Sequence, residues 1–287
     1  MYRCFLRWFV IWMVATLASS IAKADLKVTS FNVRYGTAKD GDNHWDLRKD
    51  TVAQTVKAFS PDVMGTQEIM PFQATFLQES LADYVYVGTS RVPADPNQEQ
   101  CGIFYRRNRF YQLEEGHFWL STSPDVPGSQ GWDAALPRMV TWVKLFDRQN
   151  QRTFYFFNTH FDHRGEQARS ESGALLAKRI QQLDPQASVI VTGDFNCGEG
   201  SAAYGHLTSQ QDSKLQLRDT FRTFQPNATE GEGTFNGFKG RDNGARIDWI
   251  LASPAFEVKD AKIDKSSIDG RFPSDHFPVN ATLEFAD

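Results

Sequence analysis

The sequence predicts a single α/β domain built from two sheets with helices on the outside. Three observations predict it. Short runs that alternate in polarity, or are wholly apolar, recur along the chain between segments of helical periodicity. No Pro/Gly/Ser linker divides the chain and no internal repeat is present. The composition, 40% hydrophobic and 23% charged over 287 residues, is that of an ordinary globular protein. Many strands with interspersed helices suit packed layers. Their irregular order argues against a barrel or a dinucleotide fold made of regular strand–helix units.

The first 24 residues stand apart. Arg3 and Arg7 flank an apolar run, Trp8 to Leu17, which ends in small residues and Ala22-Lys23-Ala24. A positive start, a short apolar centre and an A-x-A ending describe a secretory signal peptide cut before Asp25. The run falls short of the roughly 18 apolar residues that a membrane span needs. The expected product is a secreted or periplasmic domain of residues 25–287.

The elements then follow in order. Leu26–Phe31 alternates as a strand, and Asp46–Phe59 carries Leu47, Val52, Val56 and Phe59 at helical spacing. A strand starts at Asp62, and Pro71 opens a helix running through Leu81. Strand-like runs come next at Tyr84–Val87, Gly102–Tyr105, Val140–Phe146 and Thr153–Asn158. Between the second and third of these, Ser121–Arg138 is rich in proline and glycine and reads as a long loop. Gly165–Leu183 is helical, Ser188–Thr192 is a strand, and Gly231–Gly244 is a glycine-rich loop. Strands close the chain near Ile247–Leu251, Phe256–Ile263 and Val279–Phe285.

The chain has 31 basic and 35 acidic residues, a net charge of −4. Loss of the leader, with Arg3, Arg7 and Lys23 and no acid, takes the charge to −7. That balance argues against a bulk grip on duplex nucleic acid. Cys101 and Cys197 would remain, either as a disulfide or as buried thiols, and their spacing does not match a zinc site.

Polar residues gather where strands end. T-S-F-N-V-R carries Asn32 and M-G-T-Q-E carries Glu68. F-N-T-H-F-D-H carries Asn158, His160, Asp162 and His163. V-I-V-T-G-D-F-N carries Asp194 and Asn196, R-I-D-W-I carries Asp248, and P-S-D-H-F-P carries Asp275 and His276. Residues two apart on a strand share a face, which pairs Asp194 with Asn196, and His160 with Asn158 or Asp162. Gly193 would let the chain turn tightly, with Phe195 pointing back into the core. Each element alone has an ordinary explanation, because Asp and Asn favour turns. Asp248 inside an apolar strand needs a partner.

In this order, from about Leu26 to Phe285, the chain resembles the endonuclease/exonuclease/phosphatase superfamily. The resemblance implies a four-layer αββα sandwich of two mixed sheets with outer helices, and a site at one end of the sheets. It implies that Asn32 and Glu68 help to bind a divalent cation, Glu68 directly, with Asp275 as a further metal-site carboxylate. His276 takes the place of the catalytic histidine, oriented by Asp248. Asp194 and Asn196 match the pair that positions water and the phosphoryl group, and His160 a second histidine that contacts phosphate. Arg138, in L-P-R-M-V-T-W, stands where relatives often carry a phosphate-contacting arginine.

Those residue types suit phosphate-ester hydrolysis, which needs charge stabilisation on phosphoryl oxygens and an aligned nucleophile. Carboxylate and amide oxygens suit Mg²⁺, with Mn²⁺ able to substitute. An Asp–His pair fixes one imidazole tautomer, and either His276 or Asp194 could take the proton of the attacking water. No G-x-S-x-G motif is present, which favours direct attack by water. The expected protein is an exported phosphoesterase, foremost a phosphodiesterase, acting on a nucleic acid, a phospholipid head group or a phosphorylated glycan. The alternatives are a secreted nuclease acting on RNA or DNA and an inactive binding module on the same fold. No protein partner is indicated and a monomer is expected. Trp132 and Thr234–Phe238 are candidates for the pocket wall.

Overall fold

A computed structural model describes residues 23–209, 216–227 and 229–287. The expected signal peptide lies almost wholly outside the described residues. Among the described residues twelve strands and five α-helices follow one another as β1 (Leu26–Asn32), α1 (Trp45–Phe59), β2 (Val63–Ile69), α2 (Pro71–Ser80), β3 (Tyr84–Val87), β4 (Gln100–Arg106), β5 (Phe110–Trp119), β6 (Met139–Asp147), β7 (Arg152–His160), α3 (Glu166–Gln181), β8 (Ser188–Asp194), α4 (Ala202–Thr208), β9 (Arg218–Asp219), α5 (Thr220–Phe224), β10 (Asp248–Ala252), β11 (Phe256–Ile263) and β12 (Val279–Phe285).

Two six-stranded sheets form, in the orders β11-β12-β1-β2-β4-β3 and β5-β6-β7-β8-β10-β9. Each is mixed, with one parallel pair near its centre: β1 with β2, joined through α1, and β7 with β8, joined through α3. Three apolar layers account for the packing. Val28, Val63, Ile103, Phe154, Phe156, Ile190 and Ile250 fill the space between the sheets. Phe31, Met64 and Phe104 point the other way, toward Val52 and Val56 of α1 and Leu77 of α2. Val189, Val191 and Trp249 point outward to Leu176 and Ile180 of α3 and Leu207 of α4. Central strands are thus buried on both faces, which is why V-I-V reads as a continuous apolar run. Each such side chain contributes about 1.5–3 kcal/mol. The architecture is the four-layer αββα sandwich.

The short elements that the sequence pattern did not reveal sit at the margins. β5 is an edge strand whose residues 111–115 are exposed, so neither face imposes an apolar alternation. α4, β9 and α5 are too short to show a period. Helix termini follow familiar rules: Pro71 opens α2, where a missing N–H costs nothing, and Ser201 caps α4 by accepting from the Tyr204 N–H at 3.2 Å. Cys101 is buried, Cys197 half-buried, and both are free thiols.

Along the inward face of each central strand the chemistry changes toward one end of the sandwich. β7 presents Phe154 and Phe156, then Asn158, then His160, and β8 presents Ile190, then Thr192, then Asp194. Across the gap β1 presents Val28, Ser30 and Asn32, and β2 presents Val63, Gly65 and Gln67. The middle layer is hydrogen-bonded across the two sheets. The Asn158 amide donates to the carbonyls of Thr66 and Gly102, both at 2.8 Å, and its oxygen accepts from Gln67 Nε2 at 2.6 Å and Thr192 Oγ1 at 3.1 Å. Gly65 makes room for this clamp: a Cβ there would lie 2.1 Å from Thr192 Oγ1 and 2.4 Å from Asn158 Oδ1.

Replacing Gly65 with alanine is therefore expected to lower stability by about 1–3 kcal/mol, as overpacked cores do. For a domain of this size that is a fall of several degrees in Tm. Thermal denaturation of Gly65→Ala checks it, and an unchanged Tm would mean that the sheets do not approach this closely.

Candidate active site

The strand register assembles the site. His160 stands opposite Asp194 in the parallel β7–β8 pair, and Asp194 stands opposite Asp248 in the antiparallel β8–β10 pair. Three functional side chains thus form one row across three neighbouring strands, on the face turned toward the other sheet. From the second sheet, Asn32 at the end of β1 reaches over and donates its amide to Asp194 Oδ2 at 2.9 Å and to Glu68 Oε1 at 3.2 Å. Glu68 would point outward in a regular strand. A register irregularity between Thr66 and Ile69 and a left-handed backbone at Glu68 (φ 59°) turn its carboxylate inward.

His276 comes from the loop before β12 and completes the centre. Its Nδ1 is 2.9 Å from Asp248 Oδ2, and its Nε2 is 3.7 Å from Asp194 Oδ2. The T-F-N-G segment fixes that loop: Asn236 and Gly237 donate backbone N–H bonds to the Asp275 carbonyl, and Phe277 donates to that of Thr234. Thr234 Oγ1 in turn accepts from the N–H groups of Ile247 and Asp248. Phe235 packs edge-on against the His276 ring at 5.2 Å. Of the candidate wall residues, Phe235 lines the cavity and Trp132 does not.

All five residues expected to act in catalysis converge here, together with Arg138, Glu68 and Asp275, on a cavity of about 660 Å³. Asp194 and Asn196 both face it, but the turn between them differs from the sequence expectation. Gly193 lies within β8, where a Cβ would sit 2.8 Å from the Thr159 carbonyl oxygen, so its role is close approach. The left-handed residue is Asn196 (φ 51°), whose N–H returns to Asp194 Oδ1 at 2.9 Å and whose amide donates to the Phe161 carbonyl at 3.0 Å. Phe195 is buried and stacks on Trp249 at 4.3 Å, as expected. His160 shares its strand face with Asn158 and not with Asp162.

Asp162 acts on the loop instead. It accepts from the N–H groups of Ala135, Arg164 and Gly165 at 2.8–3.1 Å and lies 3.4 Å from Arg138 Nε. Arg138 is buried, and its guanidinium is held between Asp162 and His163 Nδ1, the latter at 3.0 Å. Asp162 and His163 thereby set the position of a buried cation beside His160.

The two site histidines are driven to opposite charge states. Burial pushes His160 well below its ordinary value, and the Arg138 and Arg91 cations push it further, so its imidazole is neutral. Burial also disfavours a charged His276, but the carboxylates of Asp248 and Asp194 more than reverse this and hold it well above its ordinary value. Asp248 Oδ1 is buried with no partner among the described residues, so Asp248 relies on His276 for its counter-charge. Burial first, and then Asp248, raise the Asp194 carboxyl to about 7.

Ligand atoms of Asp194, Asp248 and His276 lie within 4.8 Å of one another, close enough for a metal ion. However, Asp248 Oδ2 and His276 Nδ1 are engaged with each other. Glu68 and Asp275 line the same cavity and carry carboxylate oxygens, the hard ligands that a divalent cation takes. Asn32 donates from its amide nitrogen to Glu68 and Asp194, while its oxygen accepts from the Arg34 N–H at 3.0 Å. Arg34 was not singled out from the sequence, although it ends the S-F-N-V-R motif. Its guanidinium lies 3.9 Å from Glu68, 3.6 Å from Asp275 and 3.0 Å from Asp40. Arg48, wholly buried on α1, donates to the carbonyls of Val33, Arg34, Asn43 and Pro273 and ties these loops together. Nothing in its helical context signals that role.

The sequence model of the Endonuclease/Exonuclease/phosphatase family matches residues 29–276. The chain belongs to this family. Its solved relatives include a family member from Bacteroides vulgatus, 34% identical, with a TM-score of 0.84 over 92% of this chain and 100% of that one. Another is a mannosyl-6-phosphatase from Bacteroides thetaiotaomicron, 36% identical, with a TM-score of 0.81 over 91% of this chain and 100% of that one. Mouse Nocturnin is 25% identical over 82% of this chain, which spans 56% of Nocturnin's own length. Membership makes the chain a hydrolase of phosphoester bonds, in a family that depends on divalent metals.

The Asp162 anchor yields a prediction about pH. Burial alone would raise this carboxyl, but the three backbone donors and Arg138 hold it at about 2, below its ordinary 3.8. A carboxyl depressed on folding stabilises the protein above its unfolded value and loses that contribution as the pH falls through the folded value. Asp162→Asn should therefore cost about 1–2 kcal/mol at pH 7, allowing for partial solvent screening. The gap to the parent should close between about pH 4 and pH 2. Denaturant unfolding at stepped pH reads it, and a gap independent of pH would refute the assignment.

Proposed function

We propose that the chain is an exported, Mg²⁺-dependent phosphoesterase that cleaves a phosphate ester of a carbohydrate by direct in-line attack of water. The observation that carries the reading is the continuous line from Asp248 through His276 to Asp194, facing Arg138 and a neutral His160 across one cavity. Of the substrate classes that the sequence suggests, the phosphorylated glycan fits best with the 36% identical mannosyl-6-phosphatase. That relative also shifts the expectation from a diester toward a monoester. Export rests on the pattern of the leader alone.

In this reading the chain's own residues divide the work. Arg138 holds phosphoryl oxygens with a guanidinium whose orientation Asp162 and His163 have already set. His276, charged by its carboxylate neighbours, donates from Nε2 to a phosphoryl oxygen while Nδ1 donates to Asp248. Asp194 then takes the proton from the attacking water as the ester P–O bond breaks and the leaving sugar oxygen takes a proton from solvent, and the Asn196 N–H keeps Asp194 Oδ1 in place. Neutral His160, 3.5 Å from Asp194 Oδ2, offers a hydrogen bond without adding charge. Held at Glu68 and Asp275, Mg²⁺, or Mn²⁺ in its place, would neutralise charge developing on the phosphoryl group.

Chelation should abolish hydrolysis of p-nitrophenyl phosphate and of its bis-ester, and added Mg²⁺ should restore it. His276→Ala should lower kcat by about 100- to 10,000-fold, as loss of a proton-handling group does. Activity undiminished by chelation, or by His276→Ala, would sink the reading. A marked preference for single-stranded RNA or DNA over both aryl esters and sugar phosphates would favour a nuclease.

A further inference from the structure

Arg91 and Glu99 line the same cavity, and apart from the Arg91 charge that adds to burial and Arg138 in keeping His160 neutral they have no part in the chemistry above. They form a two-pronged ion pair, Nη1 to Oε2 at 2.9 Å and Nη2 to Oε1 at 2.7 Å. The pair is rigidly mounted between β3 and β4. The Arg91 N–H donates to the Glu99 carbonyl at 3.1 Å, Ser90 bridges to Gln100, and the Arg91 carbonyl accepts from Trp119 Nε1 of the other sheet at 2.8 Å. Arg91 is 7% exposed, and its Nε has no partner among the described residues. A small recess of about 10 Å³ shares Arg91, Glu99, Arg138 and His160 with the main cavity, room for about one water-sized group.

Such a pair has spare capacity of one kind. A guanidinium carries about five N–H donors and a carboxylate about four acceptor sites, and their mutual contact uses two of each. What remains are free donors beside free acceptors, on a unit that has neutralised itself. A phosphate or carboxylate drawn to Arg91 would meet the Glu99 charge at the same place. A hydroxyl, which both donates and accepts, meets neither penalty. No ring of the cavity stands beside the pair as a platform for a nucleobase, since Phe235 packs on His276 and Tyr35 lies against the Arg34 guanidinium.

We propose that the Arg91–Glu99 pair is the specificity determinant of the enzyme, binding the hydroxyl groups of the carbohydrate that carries the phosphate. The inference rests on the phosphoesterase reading above. It gives the remaining donors of Arg91 and acceptors of Glu99 a ligand in the cavity they line, and it separates recognition of the leaving group from recognition of phosphate by Arg138.

The test compares mannose 6-phosphate with p-nitrophenyl phosphate, which bears no hydroxyl groups, in the parent, in Glu99→Gln and in the double variant R91M/E99M. The double variant removes both charges together and so leaves no buried ion unpaired. Both variants should lose at least 10-fold in kcat/KM for the sugar phosphate, mainly through KM, and less than 3-fold for the aryl phosphate, whose rate also reports that the protein is folded. Equal losses on the two substrates, or no loss on either, would overturn the proposal and leave the pair a structural strut. A parent that cleaves the aryl ester but not the sugar phosphate would also overturn it while the phosphoesterase reading stands. A parent that cleaves neither would remove both.

Discussion

Between the two sheets the interior has to pass from hydrocarbon to charge within about four residues of each strand, and the Asn158 amide is the group that lets it do so. Buried carboxylates set directly against Phe156 and Ile190 would be desolvated on every side, a cost of several kcal/mol per ion. An intervening layer of amides and hydroxyls gives the charged layer a polar floor. Asn158 is wholly buried and uses both donors and both acceptor sites on groups from β2, β4 and β8. Asn158 is itself fully satisfied, which fixes one arrangement of the layer, while Gln67 Oε1 beside it is buried with no partner among the described residues. The closeness it demands is met by the missing side chain of Gly65. Arg138, Asp194, His160 and Glu68 depend on that spacing for their mutual distances.

Above this floor, function follows from unequal treatment of like groups. Two buried histidines share the site, and only the one that meets Asp248 and Asp194 is held charged. Separating the protonation states of similar residues by environment is how a fold sets proton donors apart from acceptors at one pH. The carboxylates are separated too. Asp162 is depressed by backbone donors and serves to hold Arg138, while Asp194, desolvated and beside Asp248, is raised. Glu68 and Asp275 share the Arg34 guanidinium, which offsets part of their charge, while Arg138 stands on the other side of the same cavity, held by Asp162.

Much of this was legible in the sequence because the site is built at strand ends. Apolar runs marked the strands, and the residues that break those runs, Asn32, His160, Asp194 and Asp248, are the ones the register brings together. Glu68 was legible from its motif, but its inward turn depends on a bulge and a left-handed residue that no periodicity reveals. The elements that escaped, β5 and the short segments after β8, either lie at an edge or span less than two periods. Arg91, Glu99 and Arg48 escaped for another reason. Their contacts are made across large sequence separations or within an irregular loop, so nothing local distinguishes them from solvated charges.

The central claim is that water held by Asp194 attacks phosphorus directly, with no residue of the chain bonded to phosphate on the way. The stereochemistry at phosphorus tests this most directly, using a sugar phosphate ester made chiral with oxygen isotopes and sulfur and hydrolysed in isotopically labelled water. One in-line displacement by water predicts inversion of configuration. Retention would require two displacements and a covalent phosphoenzyme, and would contradict the account.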